Sequence, residues 1–333
     1  YPFVSDSFDR QRLAESDPRR QALRLRNPLA DDAPWLRTSI LDTLLDAAGR
    51  NIARGADRAA LFEQGLVARP EGTVPTGLLS ASQRPSDEEL GALYAGTPKQ
   101  PQHIGVVLAG RASASPLAEE TRSFAWSDAL EIVLGLASIL GVRVETCRAW
   151  DLESSTVKGA PMPTPAQDPS EVAPWHPGRV ARVFVRKGRE LVDIAFAGEL
   201  HPAVCKAFGL PARSCAAEID LSALLEACSA EPIQVKPVST FPVAKEDIAL
   251  VVSSSIPVSR VEQVVRQGAG PLLEDLSLFD VFEGKQLGEG KRSLAFALKL
   301  RATDHTLTAK ESAKVREDVV KKAEKVLGAA LRS

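Results

Sequence analysis

Three stretches decide the fold of residues 238–333: EDIALVV (246–252), LFDVFEG (278–284) and GKRSLAFALKLR (290–301). Ile248, Leu250 and Val252 alternate, as one face of a half-buried strand requires. After Pro257, Val258, Val261, Val264 and Val265 recur at helical spacing. Leu276 and Leu278 lead into Phe279-Asp280-Val281-Phe282, a second strand ended by Gly284, and this reading assigns Phe279 to the core. The GEGK turn at 288–291 reverses the chain, and Leu294, Phe296, Leu298 and Leu300 alternate as a third strand. Val315, Val319, Ala323, Val326 and Leu327 stripe a second helix, with Thr306 or Thr308 as its cap. The tail from Ala329 to Arg332 supplies a last short strand. The order β-α-β-β-α-β is the ferredoxin-like plan.

Upstream, Leu36, Ile40, Leu44, Leu45, Ala48 and Ile52 predict an amphipathic helix over about 34–53, with Asp31 or Asp32 near its start. Strands are expected at 61–67, from Gly77, from His103, over 142–149, from Val180, from Glu190 and from Ser214. Residues 83–102 read as a polar loop with one helical turn. Trp126 to Leu140 reads as a second long helix, and shorter ones follow His201 and Leu221. Six prolines between Gly159 and Pro177 mark a loop or extended arm. Strands with both long helices on one side suggest an α+β fold with an antiparallel or mixed sheet. The expected boundary is the extended EPIQVKP linker, giving domains 1–232 and 238–333.

Composition is that of an ordinary globular protein: 333 residues, 44% hydrophobic and 25% charged. No apolar run approaches the roughly 20 residues of a membrane span. No signal peptide opens the chain, and the first residue, Tyr1, is read as lying inside a longer polypeptide. Cys147, Cys205, Cys215 and Cys228 lack CxxC pairing and are expected to be free thiols of a cytoplasmic protein. Net charge is −2, and residues 238–333 hold 15 Lys and Arg against 13 Asp and Glu. Contact with a nucleic acid would therefore be local and shape-led.

The FP at 241–242, the DIALVV strand, the FDVF-EG strand end, the G-KRSLAF hairpin, the DHTLT helix entry and the final LR occur in one order. Together they resemble the ferredoxin-like anticodon-binding domain at the end of the bacterial phenylalanyl-tRNA synthetase β subunit. NPL and LRTSIL within 27–54, LFE-G at 61–65, WHPGR at 175–179, GELHP at 198–202 and EIDL at 218–221 resemble that subunit's catalytic-like domain. The resemblance implies a class II synthetase-like antiparallel sheet without an active site, followed by the ferredoxin-like domain. It implies a C-terminal portion of the subunit, assembly with a catalytic α subunit as an (αβ)2 heterotetramer, and binding of the tRNA for phenylalanine. ATP and magnesium would be used by the complete enzyme, with neither bound by this segment.

The resemblance maps anticodon contacts onto Asp280, Phe282, Ser293 and Arg332. Two-residue alternation puts Asp280 and Phe282 on one side of their strand. Unpaired bases are read by stacking on aromatics and by hydrogen bonds to their edges, which gives Phe282 and Asp280 separate tasks. The family commonly has Tyr where Phe282 stands, and Arg-Asp where Lys245-Glu246-Asp247 stands. Lys291, Arg292, Lys299 and Arg301 are candidates for the RNA backbone. Leu36, Arg37, Ile40 and Leu44 are candidates for a subunit interface, since class II folds associate through an equivalent helix.

Catalytic and metal roles find no candidates. No glycine-rich strand-helix segment ending in Arg occurs between 180 and 237, and Arg37 reads as structural or interfacial. The GEGKRS turn lacks Walker A spacing. His103, His176, His201 and His305 have no nameable set of convergent carboxylates, so capping and packing are their expected roles. Two other readings stay open: a free-standing RNA-binding module, and a class II-like enzyme with an unrecognised site.

Overall fold

A computed structural model describes residues 2–70, 82–112, 122–149, 169–228 and 239–332. The chain divides into two compact units, Tyr1–Glu231 and Pro232–Ser333. The expected strand at 77, most of the proline-rich stretch and the linker at 229–237 lie outside the described residues.

The first unit runs β1 (Phe3–Val4), β2 (Trp35–Leu36), α1 (Leu41–Ala53), β3 (Arg58–Leu66), α2 (Asp87–Ala95), β4 (Gln102–Gly110), α3 (Trp126–Ile139) and β5 (Glu145–Arg148). It continues with β6 (Trp175–Lys187), β7 (Glu190–Leu200), α4 (Pro202–Ala207), β8 (Cys215–Asp220) and α5 (Leu221–Glu226). Six strands form one antiparallel sheet in the order β3-β4-β8-β7-β6-β5. The two long helices lie on opposite faces of it, not on one side as expected. Val107 and Ala109 of β4 pack with Leu41, Leu44, Leu45 and Ala48 of α1. Val106 and Leu108 of the same strand pack with Ala129, Val133 and Ala137 of α3. A strand buried on both faces must be apolar throughout, which explains the unbroken GVVLA of β4.

α1 starts at Leu41, seven residues later than its spacing predicts, because Trp35–Leu36 pairs with Phe3–Val4 as a separate ribbon. Neither Asp31 nor Asp32 caps it. Glu218 of β8 accepts from the Ile40 backbone N–H at 3.0 Å and from Ser39 Oγ at 2.6 Å, while Ser39 Oγ accepts from Leu41 N at 3.1 Å. Residues 87–95 make a nine-residue helix, more than the expected single turn. Ser86 and Glu89 form a reciprocal capping box there.

The segment after β1 is tied to α1 by a buried polar cluster. Asp42 accepts from Ser7 Oγ at 2.6 Å and from Gln11 Nε2. Burial pushes the Asp42 carboxyl up to about 6, against the lowering effect of Ser7. A raised folded-state value means stability is gained as the group protonates and lost as pH rises through it. Asp42→Asn is therefore expected to stabilise the unit by about 1–3 kcal/mol at pH 8 and to flatten its stability between about pH 4 and 8, where the parent loses stability with rising pH mostly below about pH 6. Denaturant midpoints at the two pH values check this; a variant less stable at both would contradict it.

The second unit runs β9 (Ala244–Ser253), α6 (Val258–Ala269), β10 (Leu273–Phe282), β11 (Lys291–Leu300), α7 (Ala309–Leu327) and β12 (Ala330–Leu331). The sheet order is β10-β11-β9-β12 with every pair antiparallel, which is the ferredoxin-like arrangement. Both helices cover one face. Ile248, Leu250, Val252, Leu294, Phe296 and Leu298 pack there against Val261, Val264, Val265, Val315, Val319 and Ala323. α7 opens with a Thr308–Glu311 capping box and closes on Gly328 in the left-handed region, φ 63°.

Candidate nucleic-acid interface

Because residues directly opposite in an antiparallel pair share a face, the register identifies what the helix-free face of the second sheet carries. Leu294, Phe296, Leu298 and Leu300 of β11 are buried on the helix side. Ser293, Ala295, Ala297 and Lys299 therefore face the other way. Opposite them on β10 stand Phe282, Asp280, Ser277 and Asp275, and on β9 Val251, Ala249, Asp247 and Lys245.

Strict alternation would not have produced this. Leu276 and Leu278 stand opposite Leu298 and Phe296 on the helix side. Continued in phase, Asp280 and Phe282 would point inward. A register shift between Leu278 and Asp280 inserts Phe279 as an extra residue, so Asp280 meets Ala295 and Phe282 meets Ser293. Bulges re-aim side chains in this way. Phe279 is 59% exposed, which corrects its assignment to the core.

The four residues nominated for the anticodon thus lie on one face, in two adjacent rows. Phe282, Ser293, Val251 and Ala330 make one row; Asp280, Ala295 and Ala249 make the next. The Arg332 N–H donates to Ala249 O at 2.8 Å. Its guanidinium carbon lies 4.7 Å from the centre of the Phe282 ring of β10, although β11 and β9 separate β10 from β12 in the sheet order. Phe282 is half-buried and takes no part in the unit's hydrophobic core. Gly284 lies against that ring: a Cβ there would meet Phe282 Cζ at 2.8 Å. Ser293 is 2% exposed, so it is not open to a ligand while this arrangement holds.

Most candidate backbone contacts are engaged within the unit. Arg292 Nη2 donates to Ile256 O at 2.5 Å. Lys299 pairs with Asp275 at 2.9 Å. Arg301 pairs with Glu274 at 2.9 Å and donates to the carbonyls of Ser239 and Phe241. Lys291 is exposed at the start of β11.

The interface candidates of the first unit separate differently. Ile40 is fully buried, Leu44 nearly so, and both belong to this chain's own core. Gly105 of β4 receives Ile40: a Cβ there would meet Ile40 Cγ2 at 2.5 Å. Arg37 is also buried. It donates to Leu66 O at 2.9 Å and Thr43 Oγ1 at 3.3 Å, and pairs with Glu63. Ile40 and Leu44 are corrected to structural residues, and Arg37 takes the structural side of its reading as structural or interfacial. Leu36 is half-buried in the ribbon. What the unit leaves open nearby is β3, an edge strand with Phe62 78% exposed.

Reading residue by residue missed one charged cluster. His103 of β4 stands opposite Asp220 of β8. Its Nδ1 lies 2.8 Å from Glu218 Oε1, and its Nε2 lies 3.0 Å from Arg69 Nη2 and 3.6 Å from Asp220 Oδ2. Burial lowers the imidazole's affinity for a proton, but hydrogen bonds to Asp220 and Glu218 outweigh it and raise His103 above its ordinary 6.5. Burial likewise works to raise Glu218, and the His103 hydrogen bond and charge overcome it and hold the carboxyl low. The two-residue spacing of Glu218 and Asp220 is visible in the sequence; their histidine is visible only through the register. These donors are spent on one another, on Arg69 and on the start of α1, an arrangement that fits a structural clamp rather than a metal centre. Among the described residues no group of three or more His, Cys, Asp or Glu could hold a metal ion. No described helix is long and apolar enough to cross a membrane.

Comparison with known proteins places this geometry in a family. Residues 239–332 match the family described as ferredoxin-fold anticodon binding domain. Residues 1–221 match the family described as phenylalanyl tRNA synthetase beta chain CLM domain. Relatives named phenylalanine–tRNA ligase beta subunit include those of Thermobifida fusca, 44% identical, Streptomyces avermitilis, 43%, and Bifidobacterium longum, 39%. Each alignment covers 100% of this chain but only 38%, 38% and 36% of the relative. An antiparallel α+β unit with a CLM-type match, joined to a ferredoxin-like unit with an anticodon-binding match, shows that the chain belongs to the phenylalanyl-tRNA synthetase β-chain family.

Proposed function

We propose that this chain is the subunit-packing and anticodon-reading part of a phenylalanine–tRNA ligase, and that it does no chemistry itself. It would assemble with a catalytic α subunit as an (αβ)2 heterotetramer in the cytoplasm and bind the tRNA for phenylalanine. ATP and magnesium would be held by the catalytic partner. The observation that carries this reading is the gathering of Asp280, Phe282 and Arg332 on the helix-free face of a unit matched to an anticodon-binding family.

In this reading an unpaired base stacks on Phe282, and the Asp280 carboxylate accepts from an N–H on a base edge. In the free protein the planar Arg332 guanidinium holds the ring face that the base would take. Base entry would move it onto a phosphate and uncover Ser293. Domains 1–232 and 238–333 would then divide the work between packing and recognition. Contact with the partner is assigned to the β3 edge with Phe62, since an exposed apolar edge strand invites pairing.

Phe282→Ala is expected to weaken tRNA binding by the assembled enzyme by about 1–3 kcal/mol, with its melting temperature unchanged. Phe282→Tyr keeps the ring face and is expected to bind normally. Asp280→Ala is expected to erode discrimination at one anticodon base. Equilibrium tRNA binding beside thermal melts decides this. A Phe282→Ala protein that melts early yet binds tRNA normally while folded would show a packing residue instead. The purified chain alone is expected to give no phenylalanine-dependent ATP–pyrophosphate exchange above a mock preparation. Activity above that background would contradict its non-catalytic role.

A further inference from the structure

The bulge that turns Asp280 and Phe282 to the helix-free face also strands an aromatic ring in solvent. Phe279 is the extra residue of the bulge, on β10, an edge strand of the sheet. It is 59% exposed. No core contact explains an aromatic here, because the unit's hydrophobic core does not include Phe279. Single exposed apolar residues are common and call for no account by themselves. This one adjoins Asp280 directly and stands three positions from Phe282, roughly 10 Å along the strand at about 3.3 Å per residue. A cation lies at the same strand: Arg266 of α6 donates to Leu276 O at 3.5 Å. An aromatic ring and a guanidinium along one open edge suit a single-stranded nucleic acid, whose bases stack and whose phosphates need neutralising.

We propose that Phe279 is a second stacking platform of the interface, taking an unpaired base of the anticodon loop next to the base that Phe282 takes. The inference rests on the anticodon reading of the open face and extends it from one base to two. The two rings differ in readiness. Phe282 must first be released by Arg332, whereas Phe279 is exposed in the free protein. Phe279 therefore makes the first contact, and the Phe282 stack follows as Arg332 moves.

The test uses the assembled enzyme carrying Phe279→Ala, Phe279→Trp or Phe282→Ala, with tRNA affinity measured across a salt series and melting temperature measured beside it. Phe279→Ala is expected to lose about fivefold or more in affinity, as a lost base stack does, without a change in melting temperature. The slope of affinity against salt should stay that of the unmodified enzyme, because no phosphate contact is removed. Phe279→Trp should restore binding. If Phe279→Ala binds within twofold of the unmodified enzyme while Phe282→Ala is impaired, the second platform is refuted and the anticodon reading stands. If neither variant is impaired, both fall. If Phe279→Ala weakens subunit assembly with tRNA affinity intact, the ring is a protein contact and the proposal is overturned.

Discussion

Ile40→Glu is expected to unfold the Tyr1–Glu231 unit, whereas Phe62→Glu is expected to leave it folded and weaken its association with the catalytic subunit. Ile40 is completely buried and seated on Gly105 of the central sheet. A carboxylate there has no room and no partner, and burying an unpaired charge costs more than about 4 kcal/mol. That is a large fraction of the roughly 5–15 kcal/mol that holds a typical domain together. Phe62 lies in β3, the strand that follows α1, but stands opposite Val106 on the α3 face of the sheet and is 78% exposed. A surface substitution of this kind changes stability by only about 0.5 kcal/mol. Circular dichroism and sizing of each variant with its partner separate the two effects. A folded Ile40→Glu chain that fails to assemble would restore Ile40 as a contact residue. A Phe62→Glu chain that assembles normally would remove the β3 edge from the interface.

The second large effect is expected at Glu218. Glu218→Ala removes the carboxylate that holds His103 and the Ile40 N–H just before α1, and breaking such a buried pair costs about 3–5 kcal/mol. The loss should depend on pH. Glu218 and Asp220 are held low, so their contribution is present above the ordinary carboxylate range and fades as pH falls through their folded values. His103 is raised, so its contribution is complete below its ordinary 6.5 and fades as pH rises through the folded value. The gap between parent and variant is therefore widest between about pH 4.5 and 6.5 and narrows on both sides. Chemical denaturation at pH 5.5 and pH 8.5 reads this directly. Equal gaps at both values would mean that Glu218 acts only through the helix start.

How much of this was legible follows from where each signal sits. The second unit could be drawn from its residues because its strands alternate cleanly, and Thr308 with Gly328 marks the ends of its last helix. Its bulge could not, since one inserted residue leaves no local mark between Leu278 and Asp280. Periodicity alone sends Asp280 and Phe282 inward, and only the family resemblance drew attention to them. Arg332 was nominated without any hint that its guanidinium would cover Phe282. That contact spans four strands joined only by the register. In the first unit α1 was visible but its start was not. The ribbon partner of Trp35 is Val4, and the carboxylate at its first turn comes from β8. The buried face of α1 was read as an interface for the same reason: a broad apolar stripe does not say whether its own sheet or a partner covers it. Here its own sheet does.

The central claim, that the helix-free face of the second sheet receives the anticodon, is tested most directly by hydroxyl-radical footprinting of the assembled enzyme with and without tRNA. Oxidation is read residue by residue by mass spectrometry. The account predicts that tRNA protects Phe279 and Phe282, with the exposed side chains of α7 labelled equally in both states. Protection confined to α6 and α7, with Phe279 and Phe282 labelled alike with and without tRNA, would contradict it.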